Sequence, residues 1–477
     1  MAGEVEVAGF KAAAPSLDGT IERSAALAAL RRPHAPARWL TGVSGSGKST
    51  LVAAHVHATG RRRVWYRLDA RDDDAAFFYA NFTAAVGYAL PAARVLPSFT
   101  DDDRGREHAF ADRFFTALVR HAGDVIVVFD NAHRITGEAM QRALAAFVAH
   151  ANAPLEIWFA SEEPPPRAFF DVMAQRKLGL CNDVPLAFDA HECDALAAAS
   201  RSPALDGGEL AVLTGGHAAT LVLACELLRG AQATAPAHAQ RTVSEIHRHL
   251  LGSLLDRMPD VRRALLLRTP FAPQLTEGIV RALAGERALA ELDVLCAQGL
   301  LRRTEVQGTV MYEAHGLVRN GLRSVAVERL GEVAVADLAT RTADALEREG
   351  FDEEAFALLA GRGAFDRAAS VLERITERYA RRGQAELAAR ALAALPATAC
   401  DERPWLCFWA GQVLLGASEE AARAWFERAY TAFERMGDAI GKRVAAARVV
   451  MAYGLEYGDL RNLDTWMERH THSGGDS

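Results

Sequence analysis

The sequence predicts a parallel α/β sheet, followed by small helical domains and a long all-α superhelix. A continuous apolar run at 124–131 lacks alternation and is typical of a strand buried on both faces, and a further strand is predicted at 155–161. A glycine-rich loop at 42–49 stands between a short apolar strand and a helix, the order found in parallel α/β units. After about residue 330 no strand pattern remains, and helical segments ending in glycine recur. These observations predict one α/β domain joined to an all-helical remainder.

Length and composition indicate an ordinary soluble protein of several domains. The chain has 477 residues, a length that suggests about three domains, and it is 50% hydrophobic and 24% charged. The net charge of −7 gives no overall nucleic-acid footprint. The N-terminus lacks an apolar signal segment, and the weakly charged run at 210–225 is interrupted by glycines. The six cysteines are scattered without a C-x-x-C pair. We therefore expect a cytoplasmic protein with buried free thiols and no membrane contact.

The glycine-rich loop reads G-x-x-x-x-G-K-[ST], the pattern of a phosphate-binding loop. Its glycines permit a close approach of the backbone, so that successive N–H groups and a helix N-terminus face phosphate oxygens. Lys48 is expected to reach the β- and γ-phosphates, and the Ser49 hydroxyl to bind Mg²⁺. A glycine-rich turn without a ligand is the alternative. The predicted nucleotide contacts are Gly42, Gly45, Ser46, Gly47, Lys48, Ser49 and Thr50.

The remaining strands complete the predicted sheet. A second strand spans 64–69, and the third, at 124–131, carries Asp130 near its carboxyl end. This position suits a Walker B carboxylate that holds Mg²⁺ beside the phosphate loop, because ligands of such sheets bind at the carboxyl ends of the strands. The fourth strand spans 155–161 and a fifth is predicted at 184–188. Asp189 and Glu192 then form a capping box that opens the next helix.

With these elements in order, the chain resembles the MalT-type ATP-dependent regulators of the STAND class of P-loop NTPases. The resemblance covers about residues 15–470 and implies an ATPase-type core, a small helical domain, a winged-helix domain and a superhelix of repeats. It implies a switch in which ADP holds a resting form, while ATP and an inducer favour a self-associating form. The segments that carry it are WLTGVSGSGKSTL, VWYRLDARDDDAAFFYANF, VIVVFDNAH, FASEEPPP, GGHAATLVLACELLRG, TVMYEAHGLVRNGL and ALAALPATACDERPWL.

Two residues depart from the chemistry that the resemblance implies. The family has a second acid after the Walker B strand, and Asn131 stands there, which cannot accept a proton from an attacking water. The arginine usual after the serine of strand four is replaced by Glu162, a carboxylate that opposes transition-state charge. The catalytic positions are thus Lys48, Asp130 and Asn131. We expect ATP and ADP to bind with Mg²⁺, held by Ser49 and Asp130, and to be hydrolysed slowly or not at all.

Four segments follow from the patterns and the resemblance. The sequence 300–304 and 309–312, split by Gln307-Gly308, predicts a hairpin wing, and 231–240 reads as a linker. A DNA-binding wing is the alternative to the intramolecular lid that the resemblance implies. The predicted segments are a P-loop NTPase core at 1–189, a small helical domain with linker at 190–240, a winged-helix domain at 241–330, and TPR-like repeats, ending in an incomplete unit, at 331–477.

Two histidines are candidates for contact with the nucleotide. His217 follows two glycines where relatives have a sensor turn, and a structural role is its alternative. His315 lies where STAND relatives carry a histidine that contacts the ADP β-phosphate, and an imidazole can donate a hydrogen bond to phosphate. Gly316 replaces the usual acid after it, and packing at a helix start is the alternative for His315.

The repeats predict a surface for an inducer or a protein partner. Four tryptophans have helical spacing that suits either a core or a ligand surface: Trp405, Trp409, Trp425 and Trp466. The first hypothesis is a nucleotide-gated regulator that self-associates and acts on transcription, with DNA binding only if a further C-terminal domain exists. The second is a scaffold whose fold nucleotide merely stabilises. A small-molecule kinase lacks an acceptor motif.

Overall fold

The structure, a computed structural model, contains two compact units. The first comprises Met1–Asp72, Ala80–Pro97 and Glu107–Ala345, and the second comprises Asp73–Tyr79, Ser98–Arg106 and Leu346–Ser477. The described residues are 10–32, 35–91, 96–152, 154–200, 206–228, 243–306, 309–314, 316–416, 418–456 and 462–472. Within these residues no helix combines the length and the apolar character needed to span a bilayer.

The first unit is built on a five-stranded parallel sheet with strand order β2-β3-β4-β1-β5. Strand β3 is wholly buried, as its continuous apolar run predicts, and β4 is buried except at Glu156. The strands are β1 (Ala37–Thr41), β2 (Arg62–Arg67), β3 (Val125–Asp130), β4 (Leu155–Ser161) and β5 (Leu178–Leu180). The helices between them are α1 (Ser24–Leu30), α2 (Lys48–Ala58), α3 (Ala75–Ala89), α4 (Glu107–Ala122), α5 (Glu138–Ala149) and α6 (Phe170–Ala174). The predicted parallel α/β sheet is confirmed.

A row of aromatic side chains crosses this sheet. Tyr66, Phe129, Phe159 and Trp39 are in register across β2, β3, β4 and β1, and all four are buried. Phe159 stacks on Phe129 at 5.4 Å and on Trp39 at 4.9 Å between ring centroids. Cross-strand aromatic pairs of this kind stabilise a sheet. The row holds the strands in register one residue before Asp130, so it positions the carboxyl ends of the strands.

The predicted fifth strand at 184–188 is wrong. The strand that pairs with β1 is Leu178–Leu180, and 184–188 forms an irregular segment instead. Its backbone carbonyls are bound by a side chain rather than by a neighbouring strand, since Arg23 donates to Pro185, Leu186 and Ala187. The capping box that follows is confirmed: Asp189 and Glu192 open the helix Ala190–Ala199.

Helices and one hairpin complete the first unit. The hairpin strands β6 (Leu301–Val306) and β7 (Thr309–Ala314) are antiparallel, as predicted. The helices are α7 (Ala190–Ala199), α8 (Gly207–Thr214), α9 (Ala218–Leu228), α10 (Val243–Arg257), α11 (Asp260–Arg268), α12 (Glu277–Ala284), α13 (Leu292–Ala297), α14 (Gly316–Leu330) and α15 (Glu332–Arg348), whose last residues lie in the second unit. The linker predicted at 231–240 lies outside the described residues.

The second unit contains helices and no strand in its described part. Its helices are α16 (Asp352–Ala360), α17 (Phe365–Arg382), α18 (Ala385–Ala393), α19 (Ala397–Asp401), α20 (Pro404–Leu414), α21 (Glu419–Met436), α22 (Ala439–Glu456) and α23 (Leu463–His472). The glycines predicted to end helices, Gly350, Gly363 and Gly383, adopt φ angles of +82°, +75° and +64°. Close packing of α20 on α21 depends on Gly411, because a Cβ there would lie 2.7 Å from the Phe426 ring. The helical-repeat expectation is therefore confirmed in fold class.

The six cysteines are free, as predicted, and all but Cys296 are buried. Burial raises the pKa of Cys181 to about 11 and that of Cys407 to about 12. Thiols with such pKa values remain protonated at neutral pH and pack as small apolar groups.

Candidate nucleotide-binding site

The glycine-rich loop leaves β1 and enters α2 at the carboxyl edge of the sheet. Its first N–H, from Gly42, donates to the Ser161 carbonyl at 3.1 Å and so joins the loop to the end of β4. Gly45 and Gly47 have φ angles of +77° and +87°, a region that side chains with a Cβ rarely adopt. Gly47 is also the residue before α2, so the first turn of that helix begins where the loop ends. The loop conformation requires glycine at these two positions.

Lys48 lies inside the loop with only 8% of its surface exposed. Its ammonium donates to the carbonyls of Gly42 at 2.6 Å and Val43 at 2.8 Å. Burial lowers the pKa of Lys48, while the carboxylates of Glu162 and Asp130 act in the opposite sense. A buried ammonium of this kind gains from an added anion, because its own protein partners are mainly neutral carbonyls.

Ser49 and Asp130 meet beside the loop. The Ser49 hydroxyl donates to Asp130 Oδ1 at 2.7 Å, and Asp130, at the end of β3, is 4% exposed. Burial raises the pKa of Asp130, whereas Arg67, the Ser49 hydroxyl, the Asn131 N–H and Lys48 lower it. One hydroxyl and one carboxylate fit Mg²⁺, which usually takes one or two carboxylates and completes its shell with waters and phosphate oxygens. No group of three or more His, Cys, Asp or Glu side chains forms a metal site in the described part of the chain.

Asn131 and Glu162 occupy the two positions that depart from the family pattern. Asn131 has a left-handed backbone (φ 62°, ψ 42°), and its N–H donates to Asp130 Oδ1 at 3.1 Å. The Glu162 N–H donates to His133 Nδ1 at 3.2 Å, and His133 Nε2 lies 3.8 Å from a Glu162 carboxylate oxygen. Glu162 is close enough to Lys48 to raise the pKa of that lysine. A negative charge therefore stands beside the loop at the position where the family resemblance implies a positive one.

His217 contacts the phosphate loop directly. Its Nε2 donates to the Ser44 carbonyl at 2.8 Å, and its Nδ1 lies 3.0 Å from the Thr220 hydroxyl. The Ala219 N–H donates to the Gly45 carbonyl at 3.0 Å. The start of α9 is thus hydrogen-bonded to the phosphate loop at Ser44 and Gly45. The C=O and N–H of a trans peptide point in opposite directions, so His217 also fixes the orientation of the Gly45 N–H.

The remaining predicted site residues are Ser46, Thr50 and His315. Ser46 is 5% exposed, and its Oγ is buried without a hydrogen-bond partner in the part of the chain that the structure describes. Thr50 lies in the first turn of α2. His315 lies outside the described residues, so its predicted contact with a β-phosphate stays a prediction.

Sequence reasoning missed two arginines. Arg23 is 6% exposed, pairs with Glu192 at 2.8 Å and holds the segment that carries Leu186 over Gly42. Arg67 stands in register with Asp130 and donates to Glu313 of the hairpin at 2.7 Å. No local pattern marks either residue, since the partners of Arg23 lie 162 to 169 positions away and Glu313 lies 246 positions from Arg67. His133 stood in a motif that carries the family resemblance, but nothing in that motif distinguished it as a neighbour of the site.

Comparison with known proteins identifies distant relatives. The HTH-type transcriptional regulator MalT of Yersinia pestis (strain Pestoides F) is 24% identical over 282 residues, a match that covers 56% of this chain and 30% of the relative. MalT of Yersinia enterocolitica is 25% identical over 271 residues, covering 54% and 30%. The match therefore spans less than a third of the length of these curated relatives. No family model matches the sequence.

Among solved structures, one match is a signal transduction ATPase with numerous domains (STAND) with a tetratricopeptide repeat sensor, from Pyrococcus horikoshii. It has 14% identity, a TM-score of 0.48 and coverage of 97% of this chain and 78% of that chain. Over about half of its length the chain is similar in sequence to MalT regulators, in agreement with the resemblance that its motifs carry.

Proposed function

We propose that this chain is an ATP/ADP-binding signal-transduction switch of the MalT type, with helical repeats that sense an inducer or a protein partner. The observation that carries the proposal is the convergence of Lys48, Ser49 and Asp130 at the carboxyl edge of a parallel sheet. Lys48 is a buried donor for phosphate oxygens, and the Ser49–Asp130 pair supplies oxygen ligands suited to Mg²⁺. Mg²⁺, when bound, neutralises phosphate charge.

Slow or absent hydrolysis is part of the proposal. Asn131 offers no carboxylate to an attacking water, and its backbone N–H is engaged with Asp130. Glu162 places negative charge beside Lys48, where a developing transition state would gain from a cation. Neither feature prevents ground-state binding, so the nucleotide acts as a bound signal rather than as a consumed substrate.

We also propose a function for each segment of the chain. The core at 1–189 binds the nucleotide, 190–240 contacts the phosphate loop through His217, and 241–330 acts as a winged-helix lid. The repeats at 331–477 receive the inducer or partner. Transcription as the output, nucleotide-dependent self-association and a cytoplasmic location are inferred from the relatives' name and the family resemblance. The pair Arg67–Glu313 supports a link between core and hairpin, since it joins β2 to β7 at 2.7 Å.

Calorimetric titration with ADP and ATP, with and without Mg²⁺, tests the binding. Lys48→Ala should weaken both nucleotides about tenfold to a hundredfold, because it removes charge-assisted hydrogen bonds. Lys177→Ala is the matched control: Lys177 also donates to two backbone carbonyls, at 2.7 and 3.4 Å, but it precedes β5 at the opposite edge of the sheet. Equal effects of the two substitutions would contradict the assignment.

Two further measurements separate a switch from a scaffold and from an enzyme. Sedimentation velocity should give different sizes with ADP and with ATP for a switch, whereas one size with both favours the nucleotide-stabilised scaffold. A turnover number of about 1 s⁻¹ or more, within the ordinary range of enzymes, would contradict slow hydrolysis.

A further inference from the structure

A cavity lies between α17 and α20 in the second unit. Its volume is about 410 Å³, within the range of small-molecule sites. One wall carries two carboxylates one helical turn apart, Glu373 and Glu377, together with Arg374. The other wall carries two indoles with the same spacing, Trp405 and Trp409. The cavity thus sets a pair of aromatic faces opposite a pair of carboxylates.

The two indoles are held in place without filling the cavity. Trp405 packs edge-on against Phe408 at 5.5 Å and against Phe433 at 5.0 Å, yet 39% of its surface is exposed. Trp409 packs edge-on against Phe408 at 5.4 Å. Burying an indole is strongly favourable, so a fixed ring that remains exposed has apolar surface left for a ligand.

Other aromatic rings of this unit are covered by cations from the chain itself. The guanidinium of Arg428 lies 4.0 Å from the ring centre of Trp425, and that of Arg469 lies 4.5 Å from the ring centre of Trp466. Over the described residues of the unit, no lysine or arginine lies over Trp405 or Trp409. A cation over an indole is stabilising, and the stabilisation grows when the pair is desolvated. The cavity has the aromatic half of this interaction and lacks the cationic half.

The one basic residue in the cavity wall does not supply the missing charge. The Arg374 guanidinium donates to Glu347 at 2.6 Å and lies 3.4 Å from Asp352, so its charge is matched by carboxylates of other helices. Glu373 lies 3.7 Å from Arg403, and Glu377 accepts a hydrogen bond from Arg381 at 2.6 Å in an exposed pair on α17, so each carboxylate also has a basic neighbour. Burial raises the pKa of Glu373, and a nearby cation opposes that shift.

We propose that the cavity between α17 and α20 binds an organic cation, an alkylammonium or guanidinium group, against the faces of Trp405 and Trp409 with Glu373 and Glu377 as counter-charges. An anion would be repelled by the two carboxylates, whereas a cation on the indole faces would be attracted by them. The identification of this ligand as the inducer rests on the proposed function, whereas its binding does not require the nucleotide.

Choline tests the proposal because it has a neutral isostere, 3,3-dimethyl-1-butanol. Titrations of the full chain, by calorimetry or by ligand-observed NMR, should show choline and methylguanidinium binding at least about tenfold more tightly than the isostere. Equal affinity for choline and its isostere would overturn the proposal. So would binding of a neutral disaccharide, trehalose, without binding of either cation, and so would no binding of any probe.

Two substitutions locate the binding. Trp409→Ala and Glu373→Gln should each weaken choline about tenfold. Trp425→Phe is the matched control and should leave choline affinity unchanged, because Arg428 already covers that ring. The same affinity in Glu373→Gln as in the unchanged chain would place choline elsewhere and overturn the assignment. Helical circular dichroism of the same samples reports folding, and ADP affinity separates the two proposals. Loss of ADP binding with choline binding retained contradicts only the nucleotide switch, and the reverse contradicts only this cation site.

Discussion

Replacement of Arg23 by methionine is the sharpest test of how the site is supported. The Arg23 guanidinium pairs with Glu192 through two hydrogen bonds, at 2.8 and 3.1 Å, and donates to three backbone carbonyls of the segment 185–187 at 2.9–3.0 Å. It also lies 4.0 Å from the ring centre of Phe188. Methionine keeps a similar apolar stem but has no donors and no charge.

The expected cost follows from what the substitution leaves behind. The side chains of Arg23 and Glu192 are only 7% and 11% exposed, so Arg23→Met leaves a buried carboxylate without its counter-charge. Removing one partner of such a pair costs about 3–5 kcal/mol. Adding Glu192→Gln to Arg23→Met removes the uncompensated charge and should recover about 1–3 kcal/mol. The three freed carbonyls keep the double variant below the unchanged chain in stability.

Hydrogen–deuterium exchange read peptide by peptide is the appropriate assay, because a chain with two compact units need not unfold in one step. Peptides covering 184–199 should lose protection in Arg23→Met and regain part of it in the double variant. The control is Arg142→Met, which breaks the exposed pair with Glu138 and should cost no more than about 0.5 kcal/mol. If Arg23→Met costs as little as Arg142→Met, the argument from burial is wrong.

Three further predictions concern the loop. Burial raises the folded pKa of Asp130 above its unfolded value, so the contribution of Asp130 to stability is present at acidic pH and is lost as the pH rises. Asp130→Asn should therefore raise the unfolding midpoint measured at pH 7 by scanning fluorimetry. The same substitution should weaken Mg²⁺-dependent ATP binding about tenfold. Gly45→Ala should lower stability by about 1–3 kcal/mol and abolish nucleotide binding, because its φ is +77° and its Cβ would lie 2.7 Å from His217. Gly60→Ala, with φ +65° and nothing within 4 Å, isolates the backbone strain alone. Glu162→Gln should tighten ATP more than ADP, about threefold to tenfold in calorimetric titration, and an unchanged ratio would remove Glu162 from the phosphate site.

The strands that could be predicted are those whose burial is evident from the composition of consecutive residues. The predicted strands at 124–131 and 155–161 match β3 and β4 almost residue for residue, because strands covered on both faces need mostly apolar side chains. The segment at 184–188 has a similar composition, yet it is irregular. Its carbonyls are bound by Arg23, a residue more than 160 positions away, and local composition carries no information about such a partner.

The same limit applies to the site. Lys48, Ser49 and Asp130 could be placed from spacing and strand order, because the carboxyl ends of all the parallel strands lie at one edge of the sheet. The sequence could identify His217 as a candidate site residue but could not give its role, since its contact with the Ser44 carbonyl depends on how α9 packs against the loop. Arg67 was not nominated at all, although its strand was predicted, because its register with Asp130 becomes visible only in the paired sheet.

The electrostatics of the loop explain why a metal and a polyphosphate belong together here. Burial lowers the pKa of Lys48 and raises that of Asp130, so each charged form is disfavoured by desolvation. A phosphate supplies a negative counter-charge to Lys48, and Mg²⁺ supplies a positive counter-charge to Asp130. Each ligand therefore compensates a different buried group. A nucleotide without the metal would bring further negative charge toward Asp130 and Glu162 while compensating only Lys48. The nucleotide affinity of the site is therefore expected to depend on both ligands together. Asp130→Asn should remove the gain in nucleotide affinity that Mg²⁺ provides, whereas Lys48→Ala should weaken nucleotide binding with or without the metal.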